Sequence, residues 1–243
     1  MKKYKIFIAL FSTFSSISMM LNAQENPNQN VVLSPKEKSI IGIAALTGKG
    51  DLTKLKTALN SGLDAGLTTN QIKESLVHVY AYAGFPRSIR GLQTFMTVLD
   101  DRKAKGINDV MGAEASPIND ERSKYERGKA ILKELTGVAE QGPKTGYAAF
   151  APEIEIFLKE HLFADIFERD VLSYRERELV TIAVLSSIGG VEPMLSSHLN
   201  ICINLGLTPS QLLEFLDVIK SNIGKKEFKS ASIVLNSVLK NKK

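Results

Sequence analysis

Of the 243 residues only one, Cys202, is a cysteine, which excludes an intramolecular disulfide and any thiol pair within one chain. Stability must therefore come from packing. Histidine is almost as scarce: His78, His161 and His198 are the full set, and their spacing fits no metal-ligand pattern, so no metal is expected. No stretch sustains strand-period alternation over several segments, so the fold class read from the sequence is all-α. Charge of one sign is also in short supply. The formal net charge is +5, and without Lys2, Lys3 and Lys5 it falls to +2. Near-balance of this kind, with no basic cluster or aromatic motif, gives no ground for nucleic-acid binding. What is present is apolar: 44% hydrophobic residues suffice for a core in one domain or in two small ones.

The chain opens Met1-Lys2-Lys3-Tyr4-Lys5, runs through an apolar stretch from Ile6 to Leu21, and reaches Asn22-Ala23-Gln24. Basic start, apolar middle and small residue in that order describe a secretory signal cut after Ala23, making residues 1–23 a signal peptide. The competing reading is a membrane anchor. Ser12, Thr13, Ser15, Ser16 and Ser18 dilute the stretch, which is short against the ~20 strongly apolar residues of a span. With no cysteine near the cut, a lipid-anchored form is disfavoured. The expectation is an exported protein, periplasmic or secreted, with no membrane span after cleavage.

The chain matches itself. Leu33-Ser34-Pro35-Lys36-Glu37 returns as Leu172-Ser173-Tyr174-Arg175-Glu176, and Gly66-Leu67-Thr68-Thr69-Asn70-Gln71 returns as Gly206-Leu207-Thr208-Pro209-Ser210-Gln211. The offset is 139 at the first match and 140 at the second, so one residue is inserted near Ser187 to Gly190. The shared positions are helix punctuation. Ser34 with Glu37, Ser173 with Glu176, Thr68 with Gln71 and Thr208 with Gln211 each spell a capping box. Helices are predicted at 34–47, 52–65, 68–83 and 87–105 in the first repeat, and at 173–187, 192–205, 208–223 and 226–240 in the second. Repeat one covers 31–105 and repeat two 150–243. The linker, 106–149, carries a predicted helix from Asp120 to Leu135, and repeat two begins with a helix over 152–169 that sets Ile154, Phe157, Leu158, His161, Leu162, Asp165 and Ile166 on one side.

Repeat two also contains Arg175-Glu176-Arg177-Glu178 at a helix start, His198 on the next helix and Gly206-Leu207-Thr208 eight residues after that histidine. Repeat one contains Tyr80-Ala81-Tyr82-Ala83-Gly84-Phe85-Pro86. Together these resemble the carboxymuconolactone decarboxylase family of the alkylhydroperoxidase-D-like superfamily. The resemblance implies an alkylhydroperoxidase-D-like helical fold, with the tandem repeat forming a pseudo-dimer. It implies further a homo-oligomer, with a trimer of two-repeat chains as one arrangement, a small-molecule substrate and no cofactor.

Two chemistries follow from the resemblance. The peroxidase branch uses a Cys-x-x-Cys pair whose thiolate is the nucleophile. Those positions hold Val191 and Met194 here, which disables that route as the family runs it. The decarboxylase branch works by acid–base groups: Arg177 would hold a carboxylate in two parallel bonds, and His198 with Glu178 would move a proton. Position for position, His198 and Glu178 correspond to Ala58 and Ser39, whereas Tyr82, Phe85 and Pro86 correspond to Asn222, Lys225 and Lys226. Each repeat keeps what the other lost. A composite pocket is therefore expected, lined by His198, Glu178, Arg177, Tyr80 and Tyr82, with Arg87 at its mouth and Cys202 one helical turn beyond His198.

Each residue also has a plainer account. Glu176 is explained by capping, Cys202 by its use as a small buried apolar residue, and His78 and His161 read as structural. The leading function is a cofactor-independent lyase acting on a small carboxylated or lactone-like metabolite. A thiol-dependent peroxidase and a non-catalytic helical binding module are the alternatives.

Overall fold

The capping residues fix where the helices begin. The structure is a computed structural model that describes residues 32–241, so the expected signal peptide, residues 1–23, lies outside the described residues. Helix α1 (Pro35–Lys49) starts at Ser34, whose hydroxyl accepts from the Glu37 amide while the Glu37 carboxylate accepts from the Ser34 amide. Its repeat counterpart α7 (Tyr174–Ile188) starts the same way at Ser173 and Glu176. The other two boxes form at Thr68, which opens α3 (Thr69–Ala104), and at Thr208, which opens α9 (Pro209–Ile223). Each such cap is worth ~1 kcal/mol.

Between them lie α2 (Leu52–Asp64) and α8 (Glu192–Asn204), and α10 (Lys225–Asn241) ends the described chain. Helix α3 is two helices joined at Gly84, whose φ of 77° and ψ of 167° interrupt it. The equivalent break between α9 and α10 falls at Gly224, with φ 110° and ψ 179°. Only glycine enters that region without strain, so the two repeats turn at the same place for the same reason.

Nearly every residue of α1 from Ile40 to Gly48 and of α7 from Arg177 to Ser187 is buried, because these two helices pack on each other at the centre. Around them the repeats interlock. Helix α9 packs on α1, and α3 reaches both α1 and α7. One hydrophobic core, with Ile40, Ile43, Leu76, Val180, Ile182, Leu199 and Phe215 among its members, thus belongs to both halves.

The linker and the start of repeat two each depart from expectation. Its helix α4 (Lys124–Thr136) begins four residues later than predicted, because Ser123 supplies the cap while Asp120 pairs with Arg122. A short α5 (Gly146–Phe150) precedes α6 (Pro152–Phe157), which continues as a π-helix over Leu158–Phe167. The wider i→i+5 turn shifts the register of the faces. Ile154 and Phe157, expected on the same side as Leu162 and Ile166, are 51% and 62% exposed, whereas Leu162 and Ile166 are buried against α4. Among the described residues, no helix is long and apolar enough to cross a membrane.

Candidate functional site

Because α3 of repeat one lies on α7 of repeat two, residues from both halves meet at one place. Glu178 on α7 is fully buried, and its Oε2 lies 2.8 Å from Nδ1 of His198 on α8. Tyr82 on α3 meets the imidazole of His198 edge to face, with centroids 5.6 Å apart. On its other side Tyr82 faces His78, again at 5.6 Å. The expected convergence of His198, Glu178 and Tyr82 is therefore present in the geometry. Burial, then the charge of Glu178, push the Tyr82 phenol well above its ordinary range.

Behind this group runs a second network that the sequence reading did not contain. Arg177 is fully buried, donating from Nη2 to Glu74 Oε1 at 2.7 Å and to the Arg169 carbonyl at 2.5 Å, and from Nη1 to His78 Nδ1 at 3.2 Å. Arg169 holds both oxygens of Glu74, at 2.9 and 3.0 Å. The Thr181 hydroxyl donates to the Arg177 carbonyl at 3.0 Å, so its oxygen accepts from Nε2 of His78 at 2.9 Å. His78 is thereby fixed as the neutral Nε2–H tautomer, with Nδ1 accepting from a guanidinium. Burial of Glu74 would raise its pKa, but the hydrogen bonds from Arg169 and Arg177 outweigh it and the carboxyl lies below its usual value.

The role expected of Arg177 does not fit this placement. A guanidinium with no exposed surface, bound to Glu74, a backbone carbonyl and His78, is not presented to a substrate carboxylate. It ties α7 to α3 instead. Tyr80 does not join the group either: it stacks on Phe85 at 4.1 Å and its hydroxyl lies 3.0 Å from His161 Nε2. Arg87 lies over Gly50 so closely that a Cβ there would sit 1.5 Å from its Nη1, and it lines a separate cavity with Gly48, Ala83 and Ser187. Val191 and Met194 occupy the start of α8, with Met194 51% exposed. Among the described residues, no three His, Cys, Asp or Glu side chains cluster as a metal site.

Cys202 is fully buried, and burial together with the Glu178 charge pushes its thiol well above the ordinary value. A thiol held protonated is a poor nucleophile. Cys202→Ala is expected to leave any turnover within about twofold of the unmodified protein, and to cost about 1–2 kcal/mol of stability in urea unfolding from lost packing.

His78 sets a pH dependence of stability. Burial, then the neighbouring charges of Arg177 and His198, hold its pKa well below 6.5. The unfolded chain takes up a proton below about pH 6.5 that the folded chain refuses, so the stabilisation is complete above that pH and declines as pH falls. Urea unfolding at about pH 7.5 and about pH 5.5 is expected to show this decline, and His78→Gln is expected to flatten it. An equal decline in the variant would assign it to other groups.

Three buried side-chain atoms lack a hydrogen-bond partner among the described residues: Tyr82 Oη, Arg177 Nε and Glu178 Oε1. The Tyr82 hydroxyl lies within the influence of Thr181 but makes no hydrogen bond of ordinary geometry. Each orphan costs about 1–3 kcal/mol, and all three belong to this one constellation. Concentration of unsatisfied polarity at a single place in an otherwise satisfied interior is a mark of a functional site. No curated protein matches the chain. Residues 19–95 and 152–236, one segment for each repeat, match the carboxymuconolactone decarboxylase family, and the chain belongs to that family.

Proposed function

We propose that the chain is an exported, cofactor-independent carboxy-lyase acting on a small carboxylated or lactone-like metabolite, with proton transfer at His198. The observation that carries this reading is the fully buried Glu178 held 2.8 Å from the half-buried His198, with the orphan oxygen of Glu178 beside it. Glu178 holds the imidazole by Nδ1 and stabilises its protonated form, which leaves Nε2 to exchange a proton with substrate. In decarboxylation the bond to the carboxylate carbon breaks, carbon dioxide leaves, and the electron pair passes to the adjacent carbonyl system. The imidazolium then delivers a proton to that carbanion, and water restores it. Tyr82 supplies the aromatic wall from the other repeat, and Arg177 acts as a positioning residue that fixes α7, and so Glu178, against α3.

Export rests on the order of residues in 1–23, and self-association is supported by exposed apolar side chains such as Phe85, Met96 and Phe150. The reading is tested by following carbon dioxide release from carboxylated lactones. His198→Asn is expected to lower turnover at least about 100-fold. Turnover that survives His198→Asn but disappears in Cys202→Ala would instead support thiol chemistry.

A further inference from the structure

Every member of the Glu178–His198 constellation has a counterpart in the other repeat. The Arg177–Glu74 ion pair returns as Lys38–Glu214, at 3.5 Å rather than 2.7 Å. Glu178, His198 and Tyr82 are replaced by Ser39, Ala58 and Asn222, while Thr181 and His78 are replaced by Gly42 and Val218. Each of these changes removes side-chain volume. The space they leave is a groove of about 470 Å³ open to solvent, lined among others by the half-buried Ser39, Ala58, Val218 and Asn222. That volume lies within the range of small-molecule sites.

Its lining says what would fit. Lys38 and Lys54 are the charged residues in the wall, and no carboxylate is among the lining side chains. Neither ammonium is tightly bound: Lys38 is 3.5 Å from Glu214, which also accepts from the Leu33 amide at 2.6 Å, and Lys54 is 3.8 Å from Asp51 and 3.3 Å from the Asn222 carbonyl. Asp217 lines a smaller neighbouring cavity with Lys38 and Glu214, not this one. Each ammonium has three donors and retains capacity for a ligand. Leu46 and Val218 form an apolar wall, and the hydroxyls of Ser39, Thr57 and Ser61 add polar points.

We infer that this cavity is a second, non-catalytic binding site for a small organic carboxylate, whose charge meets Lys38 and Lys54 and whose apolar body lies against Leu46 and Val218. Ser39 and Ala58 cannot supply the proton transfer of Glu178 and His198, so the ligand is bound and not converted. The inference stands independently of the activity assigned to the Glu178–His198 site.

Benzoate is the probe, added to ¹⁵N-labelled protein with benzyl alcohol as its uncharged counterpart and inorganic phosphate as a charge without an apolar body. Benzoate is expected to move the amide signals of Gly42, Ser61 and Asn222 with a Kd of about 1 mM or tighter. Lys38→Met and Lys54→Met, both at partly exposed side chains, are each expected to weaken binding about tenfold, and benzyl alcohol and phosphate to bind at least about tenfold more weakly. His198→Ala is expected to leave these shifts unchanged. Ala58→Leu, checked for an unaltered thermal midpoint, is expected to abolish them by filling the cavity. The inference is overturned by an absence of shifts at ~10 mM benzoate, by equal binding in both lysine variants, by equal binding of the uncharged or body-less probes, or by shifts that vanish with His198→Ala.

Discussion

Glu74→Gln lowers the unfolding free energy by about 3–5 kcal/mol. The carboxylate is the one anion against a guanidinium with no exposed surface, and arginine cannot shed its charge to relieve the burial. With an amide in its place, Arg177 keeps only the Arg169 carbonyl and His78 as full partners. The converse substitution is milder. In Arg177→Met, Glu74 still accepts both hydrogen bonds from Arg169, whose side chain is 40% exposed and so remains partly hydrated. The double variant Glu74→Leu/Arg177→Met removes both charges and is expected to recover much of the loss, since replacing a buried pair by apolar groups is often close to neutral. Urea unfolding at neutral pH measures all three. A loss under about 1 kcal/mol in Glu74→Gln would contradict the burial of Arg177.

Glu178→Gln behaves in the opposite sense. The amide is nearly the same shape, but it cannot stabilise a protonated imidazole at 2.8 Å, so turnover is expected to fall about 10²–10⁴-fold. Stability is expected to hold or rise by roughly 1 kcal/mol, because the substitution removes a buried charge whose Oε1 has no partner. A residue kept only for the fold would show the reverse: a loss of stability with turnover retained. Those two outcomes together would separate a structural layer, Glu74–Arg177–Arg169, from the chemical layer proposed for Glu178 and His198.

Much of this arrangement was legible in the residues. The four capping boxes fix the helix starts, and the match between Ser34–Gln71 and Ser173–Gln211 fixes the repeat. Other features were written in spacing that needed a partner to interpret. Glu74, His78 and Tyr82 recur every four residues and so share one face of α3, as Arg177 and Thr181 do on α7. Only the crossing of α3 onto α7 brings those two rows together, across about one hundred residues of chain. Tyr80 was separable from Tyr82 beforehand, since two residues along a helix differ by ~200° in direction and cannot line the same wall. Burial of Arg177 was not separable, because an arginine at a helix start reads equally as a solvated charge. Nor was the π-helix of Leu158–Phe167, since an ordinary helix over this stretch sets Ile154 and Phe157 on the same side as Leu162 and Ile166.

The proposed function places the chemistry in the imidazole–carboxylate pair of repeat two and not in the thiol beside it. Carbon dioxide release from a carboxylated lactone, measured side by side for the unmodified protein, Glu178→Gln and Cys202→Ala, tests this most directly. The prediction is release that falls at least about 100-fold in Glu178→Gln and stays within about twofold in Cys202→Ala. Release unchanged in Glu178→Gln, or lost in Cys202→Ala, would contradict it.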